Sequence, residues 1–387
     1  MKLFKKQKEQ FISQVVILSM VFGFAAGVVG QIVADVYIDP WRDSYTVDIL
    51  NTNAGASSVI PELRRVTRFL GIQQDFEVNK SIEKVTPGLV GIYSKKSSSN
   101  NALNQIYLPQ DLKTNGFILT SDGWLVSFGE IFKNYKPDQL VVVYAGKTFT
   151  IDNLIIDATT SVVFLKISAS NLPVVVLGDS DEATLGQLAI TLNNLGEAMV
   201  VNIKNTDYIN ITSGDNFVIS SEEYNRSISL NGVLDDTYLG SPLINLGGEV
   251  IGIIKEISQD DKLVTAVPIN QFRPIVLDVL RSSIVKRPFL GVSYIDLAWV
   301  FGLNENLTQG LNRGALVYQS PKKGTPASDA GLQEADIVVS VDGQQIDKNS
   351  SLTELIQQYQ GGDEIDLEIL RAGKTITKTV TLVILPD

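Results

Sequence analysis

The chain has 387 residues, enough for two or three domains, and 44% hydrophobic with 19% charged residues is typical of a globular protein. Its net charge of −11 repels phosphate groups, so nucleic acid is not an expected partner. The sequence contains no cysteine, which excludes disulfides and thiolate sites. It also contains no histidine, the usual general base near neutral pH and the commonest metal ligand. We therefore expect no cofactor, no metal and no catalysis by an imidazole.

The first segment of the chain has the pattern of a membrane anchor. Residues Val15–Val33 carry no charge, and about 20 such residues span the hydrocarbon core of a bilayer. Four lysines precede the segment, which places the N-terminus in the cytoplasm and the later residues outside the cell membrane. A cleaved signal peptide is the alternative, but small residues such as Ala25 lie inside the apolar run rather than after it. We predict a cytoplasmic N-terminus and single-pass transmembrane signal-anchor helix at 1–40, followed by a stalk at 41–78.

From about residue 79 the sequence has the pattern of β-structure. Short apolar runs separated by turn residues predict strands, and many such runs without long helices predict a barrel or a sandwich. The runs are LVGIYS (89–94), GFILT (116–120), QLVVVYA (139–145), SVVFLKI (161–167) and EVIGII (249–254). A helix is predicted at 270–283, so this domain is placed at 79–283.

The remaining residues, 286–387, predict a smaller domain of strands with one helix at 351–359. Two dipeptides, Asp342-Gly343 and Ala372-Gly373, are typical of tight hairpin turns. The expected fold class is therefore mostly β throughout.

Several segments resemble the HtrA (Deg) family, which are trypsin-like serine proteases followed by PDZ domains. They occur in the family's order and at its spacing. They are TNGFILTSDGWLVSFGEIFKN (114–134), DATTSVVFLKI (157–167), LPVVVLGDSDEATLGQLAITL (172–192), ISLNGVLDDTYLGSPLINLGGEVIGI (228–253) and VTAVPIN (264–270). The resemblance implies a chymotrypsin/trypsin-like double β-barrel at 79–283, with six strands in each barrel.

The same resemblance implies that the catalytic triad is replaced. The family's histidine position falls on Glu130, its aspartate on Ser161 and its serine on Leu239, and leucine has no nucleophilic atom. The former oxyanion region is Thr237 and Tyr238, where a β-branched residue takes a glycine position. We therefore expect no catalytic residues and no enzyme activity.

Residues 287–297, RPFLGVSYIDL, resemble the opening of a family PDZ domain. The resemblance implies that the loop Phe289-Leu290-Gly291-Val292 binds a peptide carboxylate through its N–H groups, with Leu290 and Val292 facing the pocket or the core. Leu352 and Ile356 would share one face of the helix beside the peptide groove. A Gly291→Glu substitution is expected to abolish capture without unfolding the domain.

The expected function is a membrane-anchored, extracytoplasmic HtrA-like pseudoprotease. It would bind peptides or unfolded envelope proteins, including C-termini, as a scaffold, adaptor or chaperone in bacterial protein quality control. One alternative is an endopeptidase with unorthodox residues, in which Ser241 acts as a displaced nucleophile paired with a lysine. The other is a non-catalytic subunit that tunes an active paralogue, since members of the family commonly form trimers and a homotrimer is a further expectation here.

Overall fold

The computed structural model describes residues 73–385 except 98, 99, 130, 212, 259 and 261. The predicted anchor Val15–Val33 and most of the predicted stalk lie outside these residues. Among the residues described, no helix combines the length and apolarity needed to cross a bilayer. The described part opens with a helix, α1, at 73–85, so the domain boundary predicted at residue 79 falls inside a helix. This helix is tied to the later chain, because Ser81 Oγ donates to the Leu246 carbonyl and Lys84 Nζ to that of Gly247.

Six strands close the first barrel, in the order β1-β2-β3-β6-β5-β4. Their bounds are β1 Leu89–Ser94, β2 Leu112–Ile118, β3 Trp124–Phe128, β4 Leu140–Tyr144, β5 Lys147–Ile156 and β6 Val162–Ile167. The short helix α2 (Ile131–Asn134) lies between β3 and β4. Alternate side chains fill the interior with aliphatic and aromatic groups such as Ile92, Leu125 and Leu165, all fully buried.

The second barrel also has six strands, ordered β12-β8-β9-β11-β14-β13 and closed by pairing of β12 with β13. A short strand, β7, adds to β13 in parallel. The bounds are β7 Val176–Leu177, β8 Leu188–Leu192, β9 Ala198–Tyr208, β11 Ser227–Asn231, β12 Pro242–Ile244, β13 Glu249–Ser258 and β14 Leu263–Pro268. Helix α3 (Arg273–Ser282) follows β14 and packs Ile275, Val276 and Val279 into the apolar cluster that joins the barrels. Two six-stranded barrels are therefore confirmed.

The last domain is a sheet with short helices. Its strands are β15 Pro288–Phe289, β16 Ser293–Asp296, β17 Ala315–Val317, β18 Ile337–Val341, β19 Gln344–Gln345, β20 Glu364–Arg371, β21 Lys374–Thr381 and β22 Val383–Ile384. Its helices are α4 Glu305–Thr308, α5 Pro326–Asp329 and α6 Leu352–Ile356. The sheet order is β10-β16-β17-β18-β20-β21, in which β10 (Val218–Ser220) comes from the chain segment between β9 and β11. The domain thus takes its edge strand from the sequence of the second barrel.

The predicted hairpin turns are present. Asp342 and Gly343 have φ of 47° and 80°, and Ala372 and Gly373 have φ of 49° and 74°. Two successive positive φ values make the turn whose twist matches that of paired strands. The helix predicted at 351–359 is shorter, because it ends at Ile356 after a capping box between Ser351 and Glu354.

Candidate functional site

The three positions that correspond to a triad differ in what the structure says of them. Glu130 lies outside the described residues. Ser161 is half-buried just before β6, with a positive φ of 59°, and its N–H donates to the Asp157 carbonyl at 2.8 Å. Leu239 is half-buried beside β2, where its carbonyl accepts from Asn115 N at 2.8 Å and from Asn115 Nδ2 at 3.0 Å. Neither Ser161 nor Leu239 therefore presents an activated nucleophile.

The backbone at 235–239 forms a tight turn that uses its own donors. Asp235 caps it, because its Oδ1 accepts from Thr237 N at 2.9 Å. Tyr238 N donates to the Asp235 carbonyl at 3.1 Å, and Leu239 N to the Asp236 carbonyl at 3.2 Å. An oxyanion hole needs free N–H groups aimed at one point outside the turn. Here the N–H groups at both expected positions, 237 and 239, donate internally.

The side chains around this turn are locked as well. Asn115 Nδ2 also donates to the Thr237 carbonyl at 2.6 Å, and Asn193 Nδ2 to Thr237 Oγ1 at 3.2 Å. Burial raises the pKa of Tyr238, and the nearby Glu197 and Asp235 raise it further, so the phenol stays protonated. Gly240 has a φ of +74°, and a Cβ there would lie 2.4 Å from the Asn115 carbonyl oxygen. This close approach of two backbones fixes the turn against β2.

Ser241 is not placed as a displaced nucleophile would be. The residue is fully buried, and within the described part of the chain its Oγ has no hydrogen-bond partner. A Ser–Lys pair requires a hydrogen bond between the two side chains and access for a substrate. The geometry of Ser241 offers neither.

Asp157 shows what the loop before β6 does instead. Its carboxylate is fully buried and accepts from Thr160 Oγ1 at 2.5 Å. It also accepts from Arg287 Nη2 at 2.5 Å and Arg287 Nε at 3.1 Å, a bidentate pair. Arg287 is the first residue of the RPFLGV motif and is 2% exposed. The loop that corresponds to a triad-aspartate loop is thus fastened to the start of the C-terminal domain.

The loop at 289–292 has the geometry of an anion-binding site. Its N–H groups converge: Leu290 N and Gly291 N donate to Glu222 Oε1 at 3.1 and 2.9 Å, and Val292 N donates to Ser221 Oγ at 3.0 Å. Phe289 is half-buried in β15, while Leu290 and Val292 are buried in the domain core. Successive N–H groups pointing into one concavity bind carboxylates.

Gly291 is required by the backbone of this loop. Its φ is +82°, and an added Cβ would meet Thr325 Cβ at 2.7 Å. The expectation that Gly291→Glu leaves the domain undisturbed is therefore wrong, because any side chain at this position strains the loop. Loss of binding in that variant would not separate charge repulsion from strain.

The helix beside the groove uses a residue that the sequence did not single out. Leu352 and Ile356 are both fully buried, in the same apolar cluster as Tyr294 and Ile219. Thr353 faces the groove, since its Oγ1 donates to the Ser220 carbonyl at 3.1 Å and bonds the Tyr294 hydroxyl at 3.0 Å. A threonine in the first turn of a capped helix gives no sequence signal for this role.

Comparisons with known proteins agree with this architecture. Residues 288–382 match the family model described as "PDZ domain". The chain is 27% identical over 330 residues to "Serine protease Do-like HtrA" of Bacillus subtilis, covering 79% of this chain and 72% of that protein. It is 29% identical over 281 residues to "Probable periplasmic serine endoprotease DegP-like" of Halomonas elongata, covering 70% of this chain and 56% of that one.

Solved structures show the same fold. "HtrA-type protease AlgW with decapeptide" superposes with a TM-score of 0.60 at 19% identity, covering 79% of this chain and 98% of the other. "HtrA-type protease AlgW with tripeptide" gives 0.60 at 21% identity, with 79% and 97% covered. With its two barrels and its PDZ domain in this order, the chain belongs to the HtrA family, in which a trypsin-like domain precedes a PDZ domain.

Proposed function

We propose that the chain is an HtrA-like pseudoprotease that binds peptides or unfolded protein segments without cleaving them. The observation that carries the proposal is the turn at 235–239, where leucine stands at the nucleophile position and the N–H groups of Thr237 and Leu239 donate within the turn. Acyl transfer needs a nucleophile, an oriented base and free donors for the oxyanion. The sequence has no histidine to act as that base.

Peptide binding is supported by the C-terminal domain. The three N–H groups of Leu290, Gly291 and Val292 converge on one carboxylate and one hydroxyl, as a captured peptide terminus requires. Two structural neighbours are described as complexes with a decapeptide and a tripeptide. A scaffold, adaptor or chaperone that holds such segments is consistent with both observations.

We place the folded domains outside the cell membrane, with Val15–Val33 as the anchor. Several relatives carry the word periplasmic in their names, which supports that side of the membrane. Protease shaving of intact cells or spheroplasts should remove the domains after residue 79. Their survival in intact spheroplasts, with digestion only after lysis, would contradict this placement.

The lack of activity is tested on the full-length chain with a fluorophosphonate label and with casein digestion. Both should give no signal for the wild type. The Leu239→Ser variant should also be inactive, because the new hydroxyl meets neither a base nor free oxyanion donors. Label that disappears in Ser241→Ala would show instead that Ser241 is a working nucleophile, and casein turnover by Leu239→Ser would show that the site retains its machinery.

A further inference from the structure

A segment of the second barrel's sequence lies in the groove of the PDZ domain. Strand β10 pairs antiparallel with β16 in the register Val218↔Ile295, Ile219↔Tyr294 and Ser220↔Ser293. The next N–H, that of Ser221, donates to the Val292 carbonyl at 2.8 Å. An extended peptide that is recognised by strand addition makes this same ladder with the edge of a sheet.

The end of the segment carries a carboxylate into the anion-binding loop. Glu222 is 8% exposed, and its Oε1 accepts from Leu290 N, from Gly291 N and from Ser221 Oγ, the last at 2.6 Å. Ionised groups in such enclosed positions are retained only when hydrogen bonds replace the lost water. The loop therefore treats the Glu222 side chain as it would treat the terminal carboxylate of a peptide.

The rest of the groove is filled by the same few residues. Ile219 is 8% exposed and packs into the PDZ core cluster with Leu352 and Ile356, while Thr353 Oγ1 donates to the Ser220 carbonyl. The polarity is that of a ligand, since the segment runs toward the loop with its carboxylate at the end. Backbone ladder, apolar pocket and carboxylate loop are all occupied.

We propose, on the basis of the peptide-binding function above, that Val218–Glu222 is the resident ligand of the PDZ groove and that an external peptide binds only by displacing it. The ligand class follows from the occupant. The last ladder N–H belongs to Ser221, so a chain ending there would bring its own α-carboxylate to the same three N–H groups. We infer a preference for free C-termini with a β-branched apolar residue two positions before the last, where Ile219 lies.

The exchange conserves the hydrogen bonds of the loop but not the entropy. An internal segment competes at an effective concentration that is on the order of millimolar for short connections. The apparent affinity of an external peptide falls by the fraction of molecules in which the groove is open. A cavity of ≈ 220 Å³ beside Glu222, lined in part by Gly291, Ser293 and Thr325, gives space at the carboxylate end of the groove.

The test uses the full-length chain in mild detergent and a fluorescein-labelled nonapeptide, SGDNFVISS, with a free C-terminal carboxylate. Its C-terminal amide is the ligand control. Glu222→Gln removes the resident charge, and Glu223→Gln, at the exposed neighbouring position, is the matched variant. Fluorescence anisotropy measures binding, and amide hydrogen exchange of residues 218–222 and 290–292 without peptide measures the internal contact.

We expect Glu222→Gln to bind the free-acid peptide at least about tenfold more tightly than the wild type, with faster exchange at 290–292. Glu223→Gln should match the wild type, and the amide should bind weakly throughout. Equal affinity of wild type and Glu222→Gln, with unchanged exchange, overturns the resident-ligand proposal and leaves peptide binding standing. Faster exchange in Glu222→Gln without peptide binding by any variant overturns displacement and the proposed peptide-binding function together.

Discussion

At the scale of single residues, Ala335 occupies a backbone position that favours glycine. Its φ is +65°, and it directly precedes Asp336, a buried carboxylate that Arg371 binds through two hydrogen bonds of 2.6 Å. That anchored carboxylate holds the strained backbone in place. The resemblance to PDZ domains had already marked this position as a glycine in the family.

We predict that Ala335→Gly stabilises the PDZ domain by about 1 kcal/mol, because a left-handed residue with a Cβ costs roughly that amount. Ala330→Gly is the control: Ala330 has an ordinary φ of −72°, so the added freedom of glycine should destabilise by about 0.5–1 kcal/mol. Urea unfolding of the two variants measures both free energies. A loss of stability in both would mean that Ala335 is not strained.

Asp296 should make stability depend on pH. Burial raises its pKa to about 6, with Glu354 and Asp347 raising it further, while Arg226 and the Ala298 N–H act in the opposite direction. The folded chain therefore holds this proton more tightly than the unfolded chain, whose carboxyl titrates near 3.8. The stabilising contribution is complete below the unfolded pKa and is lost as the pH rises through about 6.

Relative to Asp296→Asn, the wild type should therefore lose on the order of 2 kcal/mol of unfolding free energy as the pH rises from about 4 to about 7. Denaturant titrations of both proteins at several pH values measure the difference. Parallel pH profiles would show that the carboxyl titrates alike in the folded and unfolded chains.

At the scale of elements, local signals in the sequence predicted most of the fold. Alternating apolar residues and hairpin dipeptides such as Asp342-Gly343 indicated strands and turns, because period and turn geometry are local properties. Strand β10 could not be found in this way. The run VIS is short and its partner β16 lies about 70 positions later, so only the folded chain identifies its pairing.

The candidate site was predictable in the same uneven way. The motifs located the turn at 235–239 and the loop at 289–292, since these positions follow from spacing. They did not reveal that the N–H groups of Thr237 and Leu239 donate within the turn, nor that Glu222 occupies the loop. Both depend on contacts whose geometry appears only in the structure.

The junction before β15 gives a prediction for one element. Arg287 is paired with Asp157, and both side chains are almost completely buried. Removing one partner of such a pair leaves a buried charge uncompensated, so Arg287→Ala should destabilise by about 3–5 kcal/mol. Lys286→Ala, at the exposed preceding residue, should change stability by less than about 0.5 kcal/mol. Chemical denaturation compares the two, and a small effect at Arg287 would show that the pair contributes little.

At the scale of the whole molecule, residues 73–387 form one compact unit that contains both barrels and the PDZ domain. Three sets of contacts join the barrel sequence to the PDZ domain. Glu222 binds the loop at 290–291, Arg287 binds Asp157, and Arg226 lies 3.4–3.8 Å from carboxylate oxygens of Glu354 and Asp296. Separate domains joined by small polar interfaces usually move independently, whereas buried ion pairs resist separation.

We therefore predict that the described domains unfold together. Calorimetry of the full-length wild type should show one transition for the barrels and the PDZ domain. The double variant Arg226→Met/Arg287→Met should show two, because both buried cations that hold the PDZ carboxylate and the Asp157 loop are lost. Arg281→Met/Lys286→Met removes the same charge from exposed positions and should keep a single transition. If the first double variant also unfolds in one step, the apolar contacts alone couple the domains. If the wild type already shows two, the ion pairs do not couple them, and the PDZ domain is free to open while the barrels stay folded.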